Sequence, residues 1–382
     1  MRVALTGAGL RTASVLSILK QAVPATEFVG YFDPSPSHLD KLGRDIPRFD
    51  SVETMLSTTK PDLFFVGSPN SFHLEHLRAG LQSDVPHIFT EKPVVISIPE
   101  TMELARLLRE HDGVRRVMVG LVLRYSQHML DLRRAMAEGV LGPIASLEAN
   151  EHIGPYHGSF FMRDWRRKTA LSGGFMLEKC CHDLDLYNMI TGSRPVQVAS
   201  FGGRRSFVPE HAQTTSKEQE ILQVKKTVWE GTDDPFHADG DIVDHQTAIL
   251  AYETGASMAF HTNINVPDEH RRFCVIGAKG MAEGDFLRGY LKITRRDGSV
   301  YADNDYTSDQ YDQRGSHYGA DHMMIDDIVA YLEKRTEALP VSITDALEAG
   351  VAALALDEAR MAGTLLDLSE TWAEFDQFGL RD

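Results

Sequence analysis

The sequence predicts an α/β fold whose first third is a parallel sheet flanked by helices. Two observations predict it. Short apolar runs alternate with stretches of helical periodicity over residues 1–122, the pattern of parallel strands joined by right-handed crossover helices. The first apolar run is followed at once by a glycine-rich turn, GAGLRTA, which lets a strand turn tightly into a helix.

Each element of this first third follows from a local pattern. The first run, RVALT, is largely apolar and ends at Gly7, and the residues after it place Leu10, Val15, Ile18 and Leu19 on one helical stripe. The same reasoning assigns the other strands and helices of this region. Strands are predicted at 2–6, 27–32, 62–67, 87–90 and 116–122, and helices at 10–22, 72–81 and 98–111.

Composition limits the function. The chain has 382 residues, enough for two or three domains, and a formal net charge of −16. A surface that binds nucleic acid or an anionic membrane is therefore not expected. No apolar run approaches the ~20 residues of a membrane span. The first run is broken at Thr6 and Gly7, too early for a secretory signal.

The three cysteines are Cys180, Cys181 and Cys274. Adjacent cysteines bridge only with strain, and three thiols cannot form a disulfide framework. All three are interpreted as small core residues. Because this usage is typical of a reducing compartment, a soluble cytoplasmic protein is expected.

The turn from Gly7 to Arg11 has the chemistry of a dinucleotide site. Gly7 and Gly9 allow a tight turn and a close approach of the backbone to a pyrophosphate at the N-terminus of the helix that begins at Leu10. Asp33 ends the second strand, 24 residues after Gly9, where an acid binds the adenosine ribose hydroxyls. Its carboxylate would repel a 2′-phosphate, so NAD is favoured over NADP. Arg11 either lies along the cofactor or is solvated.

The stretch LEKCCHDLD, at 177–185, places three ionisable side chains on one face of a helix predicted at 174–190. Glu178, His182 and Asp185 stand at i, i+4 and i+7 and fall within about 60° of one another. Such groups are too costly to bury without partners, so they are expected to face a polar cleft. A metal site, a thiol redox pair, a structural helix with a satisfied histidine, and a catalytic cluster all use such residues.

Two of these alternatives lack support elsewhere in the sequence. No second histidine-rich segment supplies ligand spacing for zinc or iron, so no metal is predicted. Cys180 and Cys181 lack the C-x-x-C spacing of a redox pair. The structural helix and the catalytic cluster stay open on these grounds.

Further motifs follow the predicted strands in order. SPNSFH at 68–73 follows the third strand, Glu91-Lys92-Pro93 follows the fourth, and Trp165-Arg166 precedes SGGFMLEKCCHDLD at 172–185. In this order, together with the glycine turn, they resemble the Gfo/Idh/MocA family of sugar and cyclitol oxidoreductases, named after glucose-fructose oxidoreductase and inositol dehydrogenase. The resemblance covers most of the chain.

The resemblance implies two domains. Residues 1–123 would form an NAD-binding Rossmann domain with a doubly wound parallel sheet. Residues 124–382 would form an α/β domain with a large open, mainly antiparallel sheet that binds the substrate and serves for oligomerisation, so a homodimer or homotetramer is expected. The patterns of the second half agree. They predict strands at 145–153, 196–201, 244–252, 256–262, 272–276 and 290–294, and helices at 127–138, 174–190, 321–334 and 344–366.

Two further segments of the second half are interpreted from their patterns. The last helix carries an apolar stripe that indicates packing. Its members are Leu347, Val351, Leu354, Met361 and Leu365. The segment 203–241 is polar and irregular, as expected of an insertion, and would be a lid over the substrate, a subunit contact or simply a mobile loop.

The resemblance also implies catalytic roles. Carried over residue by residue, Lys92 and His182 match the family's catalytic lysine and histidine. Glu178 stands where aspartate is more usual, and its contact would be to His182, to the substrate or to neither. Asp185 would orient the ring of His182 or a sugar hydroxyl. Oxidation of a secondary alcohol needs a base such as His182 for the hydroxyl proton and a cation such as Lys92 for the negative charge on oxygen.

Other candidates follow from position in the family pattern, and each has an alternative as a turn, capping or packing residue. The cofactor site would also include Ser68, Asn70, His73, Glu91 and Lys92. The substrate site would include Lys92, Arg124, Tyr125, His152, Trp165, Arg166, His182 and Asp244, with His157 and His245 nearby. Sugars are often held by charged hydrogen bonds and an aromatic platform, which this set supplies.

Three functions are compatible with these features. The leading one is NAD-dependent oxidation of a secondary hydroxyl of a sugar, sugar acid or cyclitol. The second keeps NAD bound and is redox-neutral, cleaving or epimerising a glycoside through a transient keto-sugar. The third is a non-catalytic regulator that senses NAD and sugar. The negative net charge disfavours highly acidic substrates unless Arg163, Arg166 or Arg167 offsets it locally.

Overall fold

The computed structural model describes residues 1–43, 45–227, 229–307 and 317–381, and the chain divides into two units. The first unit comprises Met1–Tyr125, Ala320–Val351 and Thr371–Asp382, and the second comprises Ser126–Gly319 and Ala352–Glu370. The first unit is thus assembled from three separate stretches of chain. Across the described ranges, no helix is both long enough and apolar enough to span a bilayer.

A parallel sheet forms the centre of the first unit, as predicted. Its strands are β1 (Arg2–Thr6), β2 (Glu27–Phe32), β3 (Leu63–Val66), β4 (His87–Thr90) and β5 (Val117–Val119), in the order β2-β1-β3-β4-β5. The first helices of this unit are α1 (Leu10–Ala22), α2 (Val52–Thr59), α3 (His73–Gln82), α4 (Ile98–Glu110) and α5 (Gly113–Arg116). Val3, Phe64 and Phe89 on the strands are at most 2% exposed, as expected for a sheet covered on both faces.

The strand order reverses between β1 and β3, which is where doubly wound sheets bind ligands beyond the carboxyl ends of their strands. Gly7 follows β1 with φ +74°, and a Cβ there would lie 2.3 Å from the carbonyl oxygen of Gly67, which follows β3. Only glycine fits this contact. Thr12, which replaces the third glycine of the motif, packs against Gly67, where a Cβ would lie 2.2 Å from the Thr12 hydroxyl. Gly67, directly after the neighbouring strand β3, therefore leaves the space that the Thr12 side chain on α1 occupies.

The second unit contains a nine-stranded sheet, which confirms the predicted large and mainly antiparallel architecture. The sheet order is β13-β12-β11-β10-β6-β9-β8-β7-β14, and only β6 and β9 pair in parallel among its described ladders. The strands are β6 (Ile144–His152), β7 (Pro195–Gly203), β8 (His245–Tyr252), β9 (Ser257–Asn263), β10 (Arg272–Gly277), β11 (Gly280–Asp285), β12 (Tyr290–Arg295), β13 (Val300–Asp305) and β14 (Leu366–Asp367). The helices are α6 (Gln127–Ala137), α7 (Pro155–Arg163), α8 (Thr169–Ser172), α9 (Phe175–Thr191) and α10 (Ser216–Leu222).

Helix α9 begins at a pair of glycines that no other residue type would replace easily. Gly173 ends α8 at φ +82°, and Gly174 caps α9 at φ +93°. A Cβ on Gly174 would lie 2.6 Å from a carboxylate oxygen of Asp357. The double glycine therefore directs the chain into a helix that is buried along almost its whole length.

Three helices complete the chain: α11 (Ala320–Leu332), α12 (Ile343–Ala362) and α13 (Ser369–Asp376). The prediction that the last long helix reaches residue 366 is wrong, because Gly363 adopts φ +64° and ends it. Leu347, Val351 and Leu354 are buried as expected. Met361 and Leu365, assigned to the same packing stripe, are instead 68% and 56% exposed.

The structure corrects two other sequence predictions. The strand predicted at 116–122 covers only Val117–Val119 and is followed by a 3₁₀ turn at Val122–Tyr125. The polar segment 203–241 is not irregular throughout, since it contains α10, which starts at a reciprocal capping box between Thr215 and Glu218.

Candidate active site

The glycine turn leaves space beside the start of α1. Gly9 caps this helix at φ −82°, and no atom lies within 4 Å of where its Cβ would stand. Asp33, at the end of β2, accepts a hydrogen bond from the backbone amide of Ala8 at 2.7 Å and another from Ser35. Leu10 is exposed. These residues fit a dinucleotide, because the backbone at Gly9 is open to a pyrophosphate and a carboxylate stands at the adjacent strand end.

Arg11 is held by two carboxylates within the first unit. Its Nε donates to Oε1 of Glu91 at 2.9 Å, and its Nη1 lies 2.8 Å from Oδ1 of Asp321 on α11. Burial raises the pKa of Glu91, although Arg11 and Lys92 oppose this. The guanidinium therefore fixes the carboxylate that directly precedes Lys92, and α1 is tied to the end of β4.

The loop after β3 is linked to the segment after β4 through His73. Its Nδ1 lies 2.8 Å from the carbonyl oxygen of Pro93, and its Nε2 lies 2.8 Å from that of Ser68. Since carbonyl oxygens only accept, both contacts are hydrogen bonds only when both ring nitrogens carry hydrogen. Lys92, between Glu91 and Pro93, is half-buried. Of the other predicted cofactor residues, the Ser68 hydroxyl contacts Nδ1 of His76 at 2.9 Å, and Asn70 is buried.

On α9, the predicted stripe is buried and has a cationic partner. Glu178, His182 and Asp185 are each at most 4% exposed. Arg166 donates from Nε to Oε1 of Glu178 at 2.8 Å, and its Nη1 binds Asp164 at 2.6 Å. The charge of Glu178, one turn before His182, is therefore already offset by a guanidinium.

An aromatic surface accompanies Arg166. Its guanidinium carbon lies 4.3 Å from the ring centroid of Trp165 and 5.5 Å from that of Phe160 on α7. Trp229, from the polar segment, lies 6.3 Å from Trp165 between ring centroids. The predicted pair Trp165-Arg166 thus combines an aromatic face with the cation that binds Glu178.

The opposite face of α9 holds an ionic cluster that sequence reasoning missed. Arg271 donates to both carboxylate oxygens of Asp183, at 2.8 and 2.6 Å, and its Nε also lies 2.9 Å from Glu151. Lys179 binds the other oxygen of Glu151 at 2.9 Å. Burial raises the pKa of Asp183 to about 6. The opposite charges of Lys179 and Asp183, four residues apart on one helix, were the available signal.

Some predicted substrate residues are engaged elsewhere in their own unit. Arg124 donates to the carbonyl oxygen of Pro340 and to Asp345, and Tyr125 is buried. Asp244 is fully buried and accepts the backbone amides of residues 205–207. The oxygens of Asp244 therefore organise the start of the polar segment, and none of its described contacts is with Glu178 or Arg166.

His152 belongs to a chain of three histidine rings. Its Nδ1 lies 2.7 Å from Nε2 of His270, and its Nε2 lies 2.9 Å from Nδ1 of His261. Burial and the two neighbouring rings lower the pKa of His152 to about 4. The carbonyl oxygen of Asp268 makes Nδ1 of His270 a donor, so neutral rings donate in the order His261, His152, His270. Both nitrogens of His152 are thereby occupied.

In the described part of the chain, no group of three or more His, Cys, Asp or Glu side chains is arranged to hold a metal ion. Cys180 and Cys181 are buried, Cys274 is half-buried, and all three are free thiols. Burial raises the pKa of Cys180 well above its usual value, which makes this thiol unreactive.

Comparison with known proteins places these features in a family. Residues 1–121 match the family model described as "Oxidoreductase family, NAD-binding Rossmann fold", and residues 129–283 match "GFO/IDH/MocA C-terminal domain". The chain is 22% identical over 303 residues to the protein YteT of Bacillus subtilis (strain 168), covering 68% of this chain and 70% of YteT. It is 24% identical over 200 residues to a 2,7-anhydro-N-acetylneuraminate hydratase of Mediterraneibacter gnavus, covering 52% of each protein.

A solved structure shows the same fold over nearly the whole chain. The scyllo-inositol dehydrogenase of Lactobacillus casei, with bound NAD(H) and scyllo-inositol, aligns with a TM-score of 0.70 at 18% identity, covering 97% of this chain and 99% of that protein. At this identity the likeness concerns the fold. The two family matches, in the order of the two sheets, establish the family. The chain belongs to the GFO/IDH/MocA family of NAD-binding oxidoreductases, whose members act on sugars and cyclitols.

Proposed function

We propose that the protein is an NAD-dependent oxidoreductase that transfers a hydride between nicotinamide and a secondary hydroxyl of a sugar, sugar acid or cyclitol. The observation that carries this proposal is the charge arrangement on α9. Glu178 is neutralised by Arg166, and His182 stands one helical turn further along the same face. The chain thus offers an imidazole whose neighbouring acid is already paired.

Residues of the first unit are proposed to hold the cofactor. The backbone at Gly7 and Gly9 would accommodate the pyrophosphate, and Asp33 would bind the adenosine ribose hydroxyls. Asp33 also favours NAD over NADP, since its carboxylate repels a 2′-phosphate. When bound, NAD supplies the hydride acceptor. Residues 1–123 would form this cofactor domain and residues 124–382 the substrate and oligomerisation domain; of the latter, Ala320–Val351 and Thr371–Asp382 belong to the first unit.

Two side chains are proposed to act on the substrate hydroxyl. His182 would take its proton, since an imidazole nitrogen can act as a general base towards a hydroxyl group. Lys92 would donate a hydrogen bond to the same oxygen and stabilise its developing negative charge. Glu91, which directly precedes Lys92 and is bound by Arg11, would keep Lys92 in place. Asp185 would orient His182 or a substrate hydroxyl.

The decisive experiment compares turnover with cofactor binding in Lys92→Ala. We expect NADH formation to fall by about 10³-fold or more, while the Kd for NAD changes less than about threefold, since the pyrophosphate and ribose contacts are intact. Absorbance of reduced nicotinamide reports turnover, and quenching of protein fluorescence reports binding. Lys60→Ala, on the left-handed C-cap of α2, is the matched control and should leave both unchanged. Activity like that of the wild type in Lys92→Ala would refute the assignment.

A redox-neutral reaction on retained NAD is the second candidate. It is favoured by the match, over about half of each protein, to a hydratase, whose reaction involves no net oxidation. Near-stoichiometric enzyme mixed with inositols, aldoses, sugar acids and glycosides separates the two. Sustained accumulation of NADH with one class supports the dehydrogenase. Consumption of substrate without accumulation supports the redox-neutral reaction, and binding of NAD and sugar without any conversion would indicate a regulator.

We also propose that the protein is cytoplasmic. Three free thiols, two of them buried, are consistent with a reducing cytoplasm. A homo-oligomer is expected from the resemblance to the family.

A further inference from the structure

Lys225, in the polar segment after α10, has a backbone fixed by buried groups. Arg163 donates from Nη2 to the carbonyl oxygen of Lys225 at 2.6 Å and to that of Leu222 at 2.9 Å. The hydroxyl of Ser159 also donates to Leu222, at 2.7 Å. Ser159 and Arg163 lie on α7 and are at most 2% exposed. The position of Lys225 is therefore set by the second unit's interior and not by a loose loop.

The ammonium group of Lys225 lies over an aromatic surface. Its Nζ is 5.6 Å from the ring centroid of Tyr156 and 5.7 Å from that of Phe160. Phe160 follows Tyr156 by four residues on α7, and Arg163 follows Phe160 by three. One face of this helix therefore both anchors the backbone of Lys225 and contacts its side chain. The side chain is half-buried, and no described carboxylate is within ion-pair distance of it.

The other cations nearby are already neutralised. Arg166 is bound by Asp164 and Glu178, and like Lys225 it lies over the Phe160 ring. Lys179 is bound by Glu151. Lys225 therefore supplies a positive charge without a partner among the described residues of this region. Burial, followed by repulsion from Lys179 and Arg166, lowers the pKa of Lys225 to about 8, and Glu269 partly opposes this.

Arg163, Arg166 and Arg167, which could offset the charge of an acidic substrate, are already bound to other groups of the protein. Arg163 donates to Ser159 and to backbone carbonyls, and Arg167 binds Asp239 and the carbonyl of Glu230. Since the chain carries a net charge of −16, an anion approaching this surface needs a local uncompensated cation. Lys225 is such a cation, and its position is fixed by α7.

We propose that Lys225 binds the carboxylate of the substrate, which is therefore a sugar acid. This deepens and rests on the proposed function. The rings of Tyr156 and Phe160 offer a face for the apolar side of a pyranose. Arg166, beside Lys225, binds Glu178, so the anion would be held next to the helix that carries His182. One ammonium matches the single charge of a carboxylate, whereas a phosphate carries nearly two negative charges at neutral pH.

Isothermal titration of the full-length protein saturated with NAD tests this proposal. The probes are D-glucuronate and D-galacturonate, each compared with its neutral aldose, and D-glucose 6-phosphate. We expect at least one uronate to bind about 10-fold or more tightly than its aldose at pH 7. Lys225→Met should remove this difference, and Lys225→Arg should retain part of it. Lys226→Met, at the exposed neighbour, should change nothing. The thermal midpoint of each variant checks its folding.

The pH dependence gives an independent readout. Because the pKa of Lys225 is about 8, the preference for the uronate should decline as the pH rises from 7 to 9 in the wild type and persist in Lys225→Arg. A uronate that binds no better than its aldose, or one whose binding survives Lys225→Met, overturns the proposal. Tighter binding of the sugar phosphate overturns the carboxylate assignment.

Failure of the proposal and failure of the proposed function are distinguishable, since binding is measured apart from turnover. A protein that binds a uronate through Lys225 but never converts it would refute the proposed function alone. Oxidation of a neutral sugar without any preference for uronates would refute only the role of Lys225.

Discussion

Arg271 and Asp183, 88 residues apart in the sequence, form a two-point ion pair in which both side chains are at most 2% exposed. Glu151 shares the same guanidinium. Replacing Arg271 by Met leaves two carboxylates buried with only Lys179 to balance them. We expect a loss of about 3–5 kcal/mol in the free energy of unfolding, measured by urea denaturation.

Arg335→Met is the matched control. Arg335 pairs with Glu333, both side chains are more than half exposed, and such a pair contributes at most about 1 kcal/mol. Equal effects of the two substitutions would show that burial does not determine the strength of the Arg271 contacts.

The two glycines of the turn after β1 should respond differently to alanine. Gly9→Ala meets no atom within 4 Å and has an ordinary φ, so the free energy of unfolding should change by less than about 0.5 kcal/mol. The added methyl group should nonetheless obstruct the pyrophosphate and raise the Kd for NAD about 10-fold or more. Gly7→Ala, which meets a carbonyl oxygen at 2.3 Å, should lower stability as well. Unchanged NAD binding in Gly9→Ala would argue against a cofactor at this turn.

Asp33→Asn tests the choice of cofactor. The asparagine keeps an oxygen that accepts from the Ala8 amide but removes the charge that repels a 2′-phosphate. We expect the ratio of kcat/KM for NAD to that for NADP to fall about 10-fold. The comparison requires steady-state rates with both cofactors, and an unaltered ratio would mean that another residue discriminates between them.

Acid should destabilise the protein through buried histidines. Burial lowers the pKa of both His76 and His128 to about 4, below the ~6.5 of an unfolded chain. Between these pH values the unfolded state binds more protons than the folded state. The contribution of the two neutral histidines to stability is therefore complete above pH 6.5 and is lost as the pH falls towards 4. His128 packs against the rings of Phe286 and Tyr306, and His128→Phe removes one titration from this interval.

The measurement is the free energy of unfolding at several pH values from 4.5 to 7. One histidine contributes at most about 1.4 kcal/mol per pH unit, and His128→Phe should reduce the slope by up to this amount. His211→Asn, at an exposed position, should leave the slope unchanged. A steeper slope in His128→Phe would mean that this histidine gains protons on folding, the opposite of what its burial predicts.

Local patterns were sufficient for elements that carry their own signals. β1, α1 and β2 were predicted with their observed limits because glycines and an apolar stripe mark them. α2 was missed although Ser51 provides an N-cap, and α7 was missed although Pro155 stands in its first turn. β13 has no comparable signal, because VYADND is polar and becomes a strand only by pairing with β12.

The candidate site was predictable to the extent that its residues lie close together in the sequence. The stripe of Glu178, His182 and Asp185 follows from helical spacing alone. The partner of Arg11 on α11 does not, because Asp321 lies more than 300 residues away. Lys225 was not singled out, since its surroundings depend on how α10 packs against α7. Long-range pairing of charges was the part that spacing could not reveal.

The first unit is assembled from the beginning and the end of the chain, and this has a consequence for its synthesis. When the ribosome has released the strands β1 to β5, Arg11 still lacks Asp321, and Arg124 still lacks Asp345. These contacts form only after α11 and α12 have been translated, and we expect the apolar surface of the nascent sheet to be accessible to chaperones during that interval. A fragment ending near residue 125 should therefore aggregate or require refolding with the C-terminal segments, even though it contains every strand of its sheet.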